Sequence, residues 1–500
     1  MRFSQKNNGI VYLVGAGPGD AGLITLRGVE LLKRAEVVIY DGLVNQRLLE
    51  FVDSKAEVIY GGRFDRAHSL PQVELNALLI KKALEGKRVV RLKGGDSYIF
   101  GRGGEEAECL AEAGIPFEVV PGVSSIQAAA GCAGIPLTHR GFNSSFTVFS
   151  GHEPPFSPES KIDWALMAQI QGTLVVMMGL KNLREIAATL IRNGKSAATP
   201  AAVVSRGTLA CQRSVSGTLA NIADLADQSR LEAPGIIVIG EVVRLREKLN
   251  WFENRLLFGQ RIVVTQRLDL ARPSLARFAE LGAEVLHIPA THWIMPPGHD
   301  RLDQLIRDAG AFDWVLFSNP NAVDFFFTRF MQTHGDVRAL GAVRLGAYGP
   351  QTGERMRCWS VRPAAVAADH KLPLIMEVIT RCGNVNGLKF LLFRGGSSTE
   401  NVPEALTALG ATVEVAPGYV VEPDPDDASG DAARFVKSGA DWIVFASALA
   451  IEHFHHRFNL PEMIRRFPEM RISITTPDIQ YALDNLGLKT DVVSQTNDWD

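Results

Sequence analysis

Residues 10–20, IVYLVGAGPGD, run from an apolar stretch directly into a glycine-rich one. A strand that leads through a glycine turn into a helix is typical of a nucleotide-phosphate cradle. Gly15 and Gly17 fit the dinucleotide pattern G-x-G-x-x-G, but Asp20 stands where the third glycine belongs. Pro18 removes one backbone N–H donor, and the Asp20 carboxylate takes the place of an anion at the helix start. The stretch therefore predicts an α/β fold whose ligand is neutral or cationic at this turn.

The composition indicates a globular protein of more than one domain. The chain has 500 residues, of which 46% are hydrophobic and 21% charged, which is too long for one core. A net charge of −3 and a pI near 6.4 argue against general nucleic-acid binding. No apolar run reaches the ~20 residues of a membrane helix, and the start MRFSQKNNG lacks the apolar region of a secretory signal. We expect no nucleic-acid or membrane partner.

The cysteines and histidines predict neither a disulfide framework nor a metal site. The five cysteines are Cys109, Cys132, Cys211, Cys358 and Cys382. They are scattered, odd in number and without C-x-x-C spacing, which is typical of a reducing cytoplasm. His453, His455 and His456 form a cluster, for which a solvated helix face is the simpler interpretation. The predicted location is cytoplasmic, with no metal.

A break near residues 246–260 divides the chain. Alternating strand and helix patterns end before it, and the strand-like run RIVVT begins a new series after it. The short linker carries Trp251, Phe252 and Phe258, which favours two packed domains over a flexible tether. The predicted domains are residues 1–250 and 256–500.

The second half contains an internal repeat. At a shift of 128 positions, residues 259–290 align with 387–418, and 313–330 align with 441–458. Residues 343–350 then align with 470–477 after a slip of one residue. Three blocks in one order predict two similar α/β lobes, each with a parallel sheet. Ligands of such sheets bind beyond the carboxyl ends of the strands, so two facing lobes would form a cleft there.

Two further glycine-rich stretches follow predicted strands in the first half. They are RVVRLKGGDSYIFGRGGEE at 88–106 and VVPGVSSIQAAAG at 119–131. Each alone fits an ordinary strand–helix turn. Together with the first turn, and with Tyr40-Asp41 ending another strand, they favour a binding site.

These motifs closely resemble the uroporphyrinogen-III C-methyltransferase family. The resemblance covers about residues 9–250 and rests on GAGPGDAGLITLRG, YDGLV, RLKGGDSYIFGRGGEE, PGVSS, GIPLTHR and MMGL. It implies the tetrapyrrole-methylase fold, with two α/β subdomains, and S-adenosylmethionine as cofactor, which carries a sulfonium and no phosphate. It also implies a homodimer through this half. The residues that it places against the cofactor are Pro18, Gly94, Gly95, Asp96, Ile99, Ser124, Ser125, Met178 and Gly207.

The resemblance also assigns a proton acceptor and reveals a departure. Asp41 matches the family's proposed acceptor, with a helix N-cap as the alternative interpretation. Where the family has Gly-Lys-Arg, this chain has Gly61-Gly62-Arg63, so the lysine side chain is missing. Arg63 stays protonated and is expected to anchor substrate carboxylates. Rival interpretations are methylases of later corrin intermediates and diphthine synthases, which share the fold.

The repeated half, about residues 259–500, resembles uroporphyrinogen-III synthases. The resemblance rests on RIVVTQ, LFSNPNAV, AYGPQTGERM, KFLLFRGG and Tyr419. It implies closure of hydroxymethylbilane, with inversion of the last ring and loss of water. Tyr419 would be the catalytic proton donor, with a structural hinge aromatic as the alternative. The expected substrate-binding residues at strand ends are Ser318, Asn319, Gly349, Gln351, Thr352 and Ser447.

This second half also departs from its family. Two hydroxyl residues usually follow the proline at 477, where this chain has Asp478 and Ile479, and family members usually have a further helix after residue 500. An alternative is therefore that the second half only binds tetrapyrrole or packs on the methyltransferase. The expected fold class is a tetrapyrrole-methylase fold followed by a two-lobed α/β domain with parallel sheets.

Overall fold

The computed structural model describes residues 9–62, 70–294, 300–368, 372–394, 401–417, 419–425, 427 and 429–493. For Asp269, Val378, Pro417 and Asp478 it describes the backbone alone. No described helix is long and apolar enough to cross a membrane.

The first subdomain is a parallel five-stranded sheet in the order β3-β2-β4-β1-β5. Its strands are β1 (Ile10–Gly15), β2 (Val37–Asp41), β3 (Glu57–Gly62), β4 (Arg88–Lys93) and β5 (Phe117–Val120). Its helices are α1 (Leu26–Arg34), α2 (Gln72–Leu84), α3 (Gly103–Glu112) and α4 (Ser125–Cys132). The central strands are apolar and buried, with separate clusters of core side chains on the two faces, as a parallel sheet requires.

The second subdomain is a mixed sheet in the order β6-β7-β10-β8-β9. Its elements are β6 (Phe146–Ser150), α5 (Trp164–Gln169), β7 (Thr173–Met177), α6 (Leu183–Arg192), β8 (Pro200–Ser205), β9 (Arg213–Thr218), α7 (Ile222–Gln228), β10 (Gly235–Ile239) and α8 (Arg246–Leu249). Only β6 and β7 pair in parallel, and the other neighbours are antiparallel. Helix α4 starts at the first sheet and packs on the second, with Ile126, Ala129 and Ala130 in the same cluster as Val204 and Ile236.

The C-terminal half contains two lobes with parallel sheets. Its strands are β11 (Arg261–Val264), β12 (Glu284–His287), β13 (Thr291–Ile294), β14 (Trp314–Phe317), β15 (Arg344–Ala347), β16 (Ala365–Val366), β17 (Lys389–Arg394), β18 (Thr412–Pro417), β19 (Val420–Pro423), β20 (Trp442–Phe445), β21 (Arg471–Ile474) and β22 (Val492–Val493). Its helices are α9 (Leu268–Glu280), α10 (Asp300–Arg307), α11 (Pro320–His334), α12 (Pro350–Cys358), α13 (Leu372–Arg381), α14 (Val402–Ala408), α15 (Asp431–Ser438), α16 (Ala448–Phe458), α17 (Leu460–Arg466) and α18 (Gln480–Asp484). Lobe 1 has the sheet β12-β11-β20-β21-β22, and lobe 2 has β18-β17-β14-β15-β16.

The two lobes have the same strand order, which confirms the repeat, but each lobe is built from both sequence copies. The first copy supplies β11 and β12 to lobe 1 and β14, β15 and β16 to lobe 2. The second copy supplies β17 and β18 to lobe 2 and β20, β21 and β22 to lobe 1. The chain crosses between the lobes at β13 and β19, which pair antiparallel. The copies therefore exchange their halves across this two-stranded ribbon.

The linker between the two halves of the chain is packed. The Trp251 indole N–H donates to Gly131 O at 3.1 Å, and its ring lies edge-on to Phe252 with centroids 5.5 Å apart. The Arg255 guanidinium lies over both rings, 4.6 Å from Trp251 and 4.8 Å from Phe252. On its other side, Leu257 N–H donates to Leu281 O at 2.9 Å. The aromatic linker is thus hydrogen-bonded to α4 on one side and to the C-terminal half on the other.

Candidate functional site

Three glycine-rich turns meet at the carboxyl edge of the first sheet. They do so because β1 lies between its parallel neighbours β4 and β5. Gly17 N–H donates to Gly95 O at 3.2 Å, and Gly95 N–H donates to Gly17 O at 2.7 Å. A Cβ on Gly15 would lie 2.5 Å from the Cα of Gly122, so the first and third turns touch backbone to backbone. Motifs separated by about a hundred residues therefore form one surface.

The Asp96 carboxylate fastens the second turn to the third. One oxygen accepts from Gly122 N–H at 2.9 Å and the other from Tyr98 N–H at 2.8 Å. Gly94 before it is half-buried, while the Ile99 side chain after it is 43% exposed. Asp96 thus has a positioning role in the loop, and its contact with a ligand stays a prediction.

Helix α4 begins at this edge with the two predicted serines. Ser124 is buried and caps the helix, its Oγ accepting from Ile126 N–H at 3.3 Å. The Ser125 hydroxyl lies 3.9 Å from the Met177 sulfur at the end of β7. The helix start is therefore shared between the two subdomains.

The remaining predicted cofactor residues of the second subdomain lie beside α4. Met178 has φ +56° and is 46% exposed, directly after Met177. A Cβ on Gly207 would lie 2.3 Å from the Cβ of Ala129, so only glycine lets this loop approach the helix. The structure places both residues at the boundary between the two sheets.

The first turn is anchored to the second subdomain through Asp20. Its carboxylate accepts from Gly22 N–H at 2.8 Å and caps the 3₁₀ helix Ala21–Leu23, which is the local anion that the sequence pattern indicated. The Asp20 N–H donates to the Thr208 hydroxyl at 3.0 Å. Pro18, two residues before Asp20, is half-buried. Thr208 was not found from the sequence, although it follows Gly207 directly.

Asp41 ends β2 as a buried carboxylate. It forms an ion pair with Arg91, whose side chain is fully buried in the neighbouring strand β4. The residue that caps the next helical turn is Asn45, which accepts from Arg47 N–H at 3.1 Å. The helix-cap interpretation of Asp41 is therefore wrong.

Arg91 links Asp41 to a second buried carboxylate, Glu106. The Arg91 Nε lies 3.3 Å from Glu106 Oε1, and Lys93 Nζ lies 2.9 Å from the same atom. Burial raises the pKa of Glu106, but the charges of Arg91 and Lys93 and the hydrogen bonds from Lys93 and Gln72 outweigh it. They hold that pKa below its usual range. Two cations and two carboxylates thus alternate beneath the candidate site.

The position of the family's lysine lies beside Asp41. Gly62 is buried at the end of β3, where it is the register partner of Asp41, directly after an irregularity between Tyr40 and Asp41. Its carbonyl accepts from Gly42 N–H at 2.9 Å. The cation that contacts Asp41 instead comes from Arg91, which was not predicted from the sequence. Arg63 lies outside the described residues.

In the second half, Tyr419 lies directly before β19, where the chain returns to lobe 1. It is buried, and its hydroxyl donates to Asn319 Oδ1 at 2.9 Å. Asn319 caps α11 and also donates to the Ser318 hydroxyl at 3.2 Å. Burial is the largest influence on the Tyr419 hydroxyl and raises its pKa. Three predicted residues therefore form one hydrogen-bonded group in which the phenol stays protonated.

Two residues missed by sequence reasoning extend this group. The Arg267 guanidinium, at the carboxyl end of β11 in lobe 1, lies 4.9 Å from the centre of the Trp293 ring in β13. The Trp293 and Tyr419 ring centres are 6.5 Å apart. Arg267 directly follows the RIVVTQ motif, which was the available signal. The ribbon between the lobes thus brings a cation near Tyr419.

The other predicted residues of this half have hydrogen bonds or positions outside the group around Tyr419. Thr352 is fully buried and donates to Tyr348 O at 2.7 Å, which supports a structural role. Gly349 precedes α12 with φ +85°, and Gln351 in that helix is exposed. Ser447 is exposed and caps α16 in lobe 1, at the position equivalent to Asn319 in lobe 2.

Among the described residues, no group of three or more His, Cys, Asp or Glu side chains could hold a metal ion. The three clustered histidines lie on α16, and Ile479 is buried beside α18.

Comparisons with known proteins match each half separately. The profile of the tetrapyrrole (corrin/porphyrin) methylases matches residues 10–223, and that of uroporphyrinogen-III synthase HemD matches residues 274–500. A protein of Ruminiclostridium josui, the porphyrin biosynthesis protein HemD, is 39% identical over 70% of this chain and 69% of its own length. The uroporphyrinogen-III C-methyltransferase of Bacillus subtilis is 40% identical over 74% of this chain and 75% of its own length.

A third relative matches the first half alone. The S-adenosyl-L-methionine-dependent uroporphyrinogen III methyltransferase of Methanosarcina barkeri is 50% identical over 49% of this chain and 95% of its own length. The fold and these matches define a tetrapyrrole-processing enzyme. More narrowly, the chain belongs to the tetrapyrrole methylases and carries a uroporphyrinogen-III synthase domain on the C-terminal side of the methylase domain.

Proposed function

We propose that the chain catalyses two consecutive steps of tetrapyrrole synthesis. The C-terminal half closes hydroxymethylbilane to uroporphyrinogen III, and the N-terminal half methylates that product to precorrin-2, which would feed siroheme or cobalamin synthesis. The observation that carries this proposal is the presence of both families in one chain. The product of the first reaction is the substrate of the second.

The glycine edge of the first sheet fits S-adenosylmethionine as the cofactor. The close approach of Gly15, Gly95 and Gly122 leaves no room for a Cβ at Gly15 or Gly122, so a ligand at this edge would meet backbone atoms. When bound, S-adenosylmethionine supplies an electrophilic methyl group. The turns at Gly94–Asp96 and Gly15–Pro18, together with the start of α4, would hold it and orient the acceptor carbon, and such positioning supplies much of the acceleration.

Asp41 is the proposed proton acceptor for the methylated ring. It ends β2 at the same edge as the glycine turns, and Arg91 fixes its carboxylate by an ion pair. A carboxylate held in this way can accept the proton that leaves after methylation. Arg63 is proposed to bind substrate carboxylates.

For the synthase half, the hydrogen-bonded group around Tyr419 supports a role in water loss. Its phenol is protonated and lies against Asn319, so it can donate to a departing hydroxyl. Arg267 and the hydroxyl of Ser318 would bind the substrate's carboxylates, together with Gly349, Gln351 and Ser447.

The test uses the full chain with hydroxymethylbilane, with and without S-adenosylmethionine. We expect uroporphyrinogen isomer III, and methylated product when the cofactor is added. Tyr419→Phe removes the hydroxyl and keeps the ring contacts with Trp293 and Phe325. Ring closure should therefore fall about a hundredfold, while methylation of supplied uroporphyrinogen III is unchanged. Tyr481→Phe, at an exposed tyrosine, is the control. Isomer I alone from the wild-type chain would show that the second half is not a synthase.

We also propose a cytoplasmic homodimer that forms through the N-terminal half. Tyr98, Ile99 and Phe100 expose large apolar side chains in succession, a surface that a second copy or the macrocycle would cover. The five cysteines are all free, which supports a reducing compartment. Light scattering should give twice the 54.5 kDa of one chain.

A further inference from the structure

The methyltransferase half touches lobe 1 through the 3₁₀ helix Gln46–Phe51. The Arg47 guanidinium donates to the carbonyl oxygen of Val285 in β12. Next to it, a Cβ on Gly430, before α15 of lobe 1, would lie 3.1 Å from the Gln46 amide oxygen. Two neighbouring side chains of one short helix therefore meet two separate elements of lobe 1.

The partner of Arg47 lies on the free edge of a sheet. β12 is the edge strand of lobe 1. On its inner side, Glu284 N–H donates at 2.8 Å to Gln260 O, directly before β11, and Ile288 N–H donates at 3.0 Å to Val264 O in β11. Two backbone groups between these residues, Val285 O and His287 N–H, have partners outside the sheet. His287 N–H donates to Asp431 at 2.8 Å, and Val285 O accepts from Arg47. The outward N–H of His287 thus has its partner within lobe 1, whereas the outward carbonyl of Val285 has its partner in the methyltransferase half.

The same segment reaches the candidate methyltransferase site on its other side. Asn45 accepts from Arg47 N–H at 3.1 Å, and its own amide donates at 2.8 Å to Gly19 O in the first glycine turn. Val44 N–H donates to Asp41 O at 3.0 Å. A continuous series of hydrogen bonds therefore runs from lobe 1 through residues 47 and 45 to the first glycine turn, with Asp41 only a few residues away.

We propose that lobe 1 of the synthase half is a docking partner for the methyltransferase half, and that it positions the segment from Asp41 to Arg47. Arg47 is the positioning residue of this contact. The proposal rests on the proposed methyltransferase function. It adds that the synthase domain helps to hold the methylation site in place. Loss of the contact leaves the Val285 carbonyl without this donor and releases one end of the segment.

The test compares full-length Arg47→Ala, Arg47→Lys and the control Arg34→Ala, which changes an exposed arginine at the end of α1. In Arg47→Ala we expect faster hydrogen exchange across residues 42–48 and a fall in the kcat/KM of methylation of about tenfold, with ring closure unchanged. Arg47→Lys should recover most of the activity, since an ammonium group can also donate to Val285 O. Arg34→Ala should match the wild type.

Unchanged exchange and methylation in Arg47→Ala would overturn the proposal. So would an equal loss of both activities with a lower melting temperature, which would indicate general destabilisation. A wild-type chain that neither binds S-adenosylmethionine nor methylates would instead refute the proposed function. The hydrogen-exchange comparison would then still decide whether lobe 1 holds this segment.

Discussion

Asp41 and Glu106 share one buried cation, and this arrangement connects the candidate chemistry to the stability of the first sheet. Arg91 contacts both carboxylates, and Lys93 contacts Glu106 from the same strand. Four charges that alternate in sign can be buried because each one has an opposite partner. Removing any of them therefore affects its neighbours, and activity and stability have to be measured together.

Asp41→Asn separates the proton-acceptor role from the ion pair. Asparagine keeps the shape and one oxygen for Arg91 but is not a base. Methylation of uroporphyrinogen III should fall by about a hundredfold or more, with affinity for S-adenosylmethionine retained. The variant should also melt at a lower temperature, because Arg91 loses one of its two charge partners. Wild-type turnover in steady-state assays would show that the base lies elsewhere.

Glu106→Gln tests the buried charges through pH. The folded-state pKa of Glu106 lies below its ordinary value of 4.5, so its stabilising charge is fully present above that pH and is lost as the pH falls through the folded value. At neutral pH the variant should be about 3–5 kcal/mol less stable, since Arg91 loses one of its two carboxylate partners and Lys93 loses its ion pair with Glu106. In urea unfolding, the difference in the free energy of unfolding between the variant and the wild type should become smaller at acidic pH. The exposed pair Glu105–Arg102 provides the control, because Glu105→Gln should change the free energy of unfolding only slightly.

At the scale of elements, the site depends on turns that approach too closely for any side chain. A Cβ on Gly122 would lie 2.2 Å from Gly95 O and 2.7 Å from the Cα of Gly15. Gly122→Ala must therefore separate all three turns, and calorimetry should show S-adenosylmethionine affinity reduced at least about tenfold. Gly104→Ala is the matched control, because nothing lies within 4 Å of its Cβ position in α3. Equal affinities in the two variants would exclude these turns from the cofactor site.

At the scale of the whole molecule, the exchange between the two sequence copies makes the synthase half indivisible. A fragment of residues 256–386 contains β11 and β12 without the lobe 1 strands β20, β21 and β22. The fragment 387–500 contains β17 and β18 without the lobe 2 strands β14, β15 and β16. Each fragment alone should show little ordered structure by circular dichroism, because each sheet core is incomplete. Mixing the two should restore it, whereas two independently folded fragments would contradict the exchanged topology.

The sequence alone determined the fold class, the repeat and most of the candidate site in the first half. Apolar runs ending in glycine turns are local signals, and parallel strands bring all their carboxyl ends to one edge, so Gly15, Gly95 and Asp41 were predictable as neighbours. The N-cap position of Ser124 and the capping carboxylate of Asp20 also follow from local chemistry.

Only the tertiary structure decided which distant side chains complete these sites. The sequence shows Arg91 and Glu106 as ordinary strand and helix residues. Their ion pairs exist because β4 lies beside β2 and meets Glu106 of α3. Thr208 and Arg47 bond to partners more than a hundred positions away in sequence. Arg267 comes near Tyr419 only because the ribbon strand β13 places Trp293 between them. The repeat also could not show that its copies exchange halves, because the same local patterns satisfy either connection. Burial and long-range pairing decide between them, and these arise only when the whole chain packs.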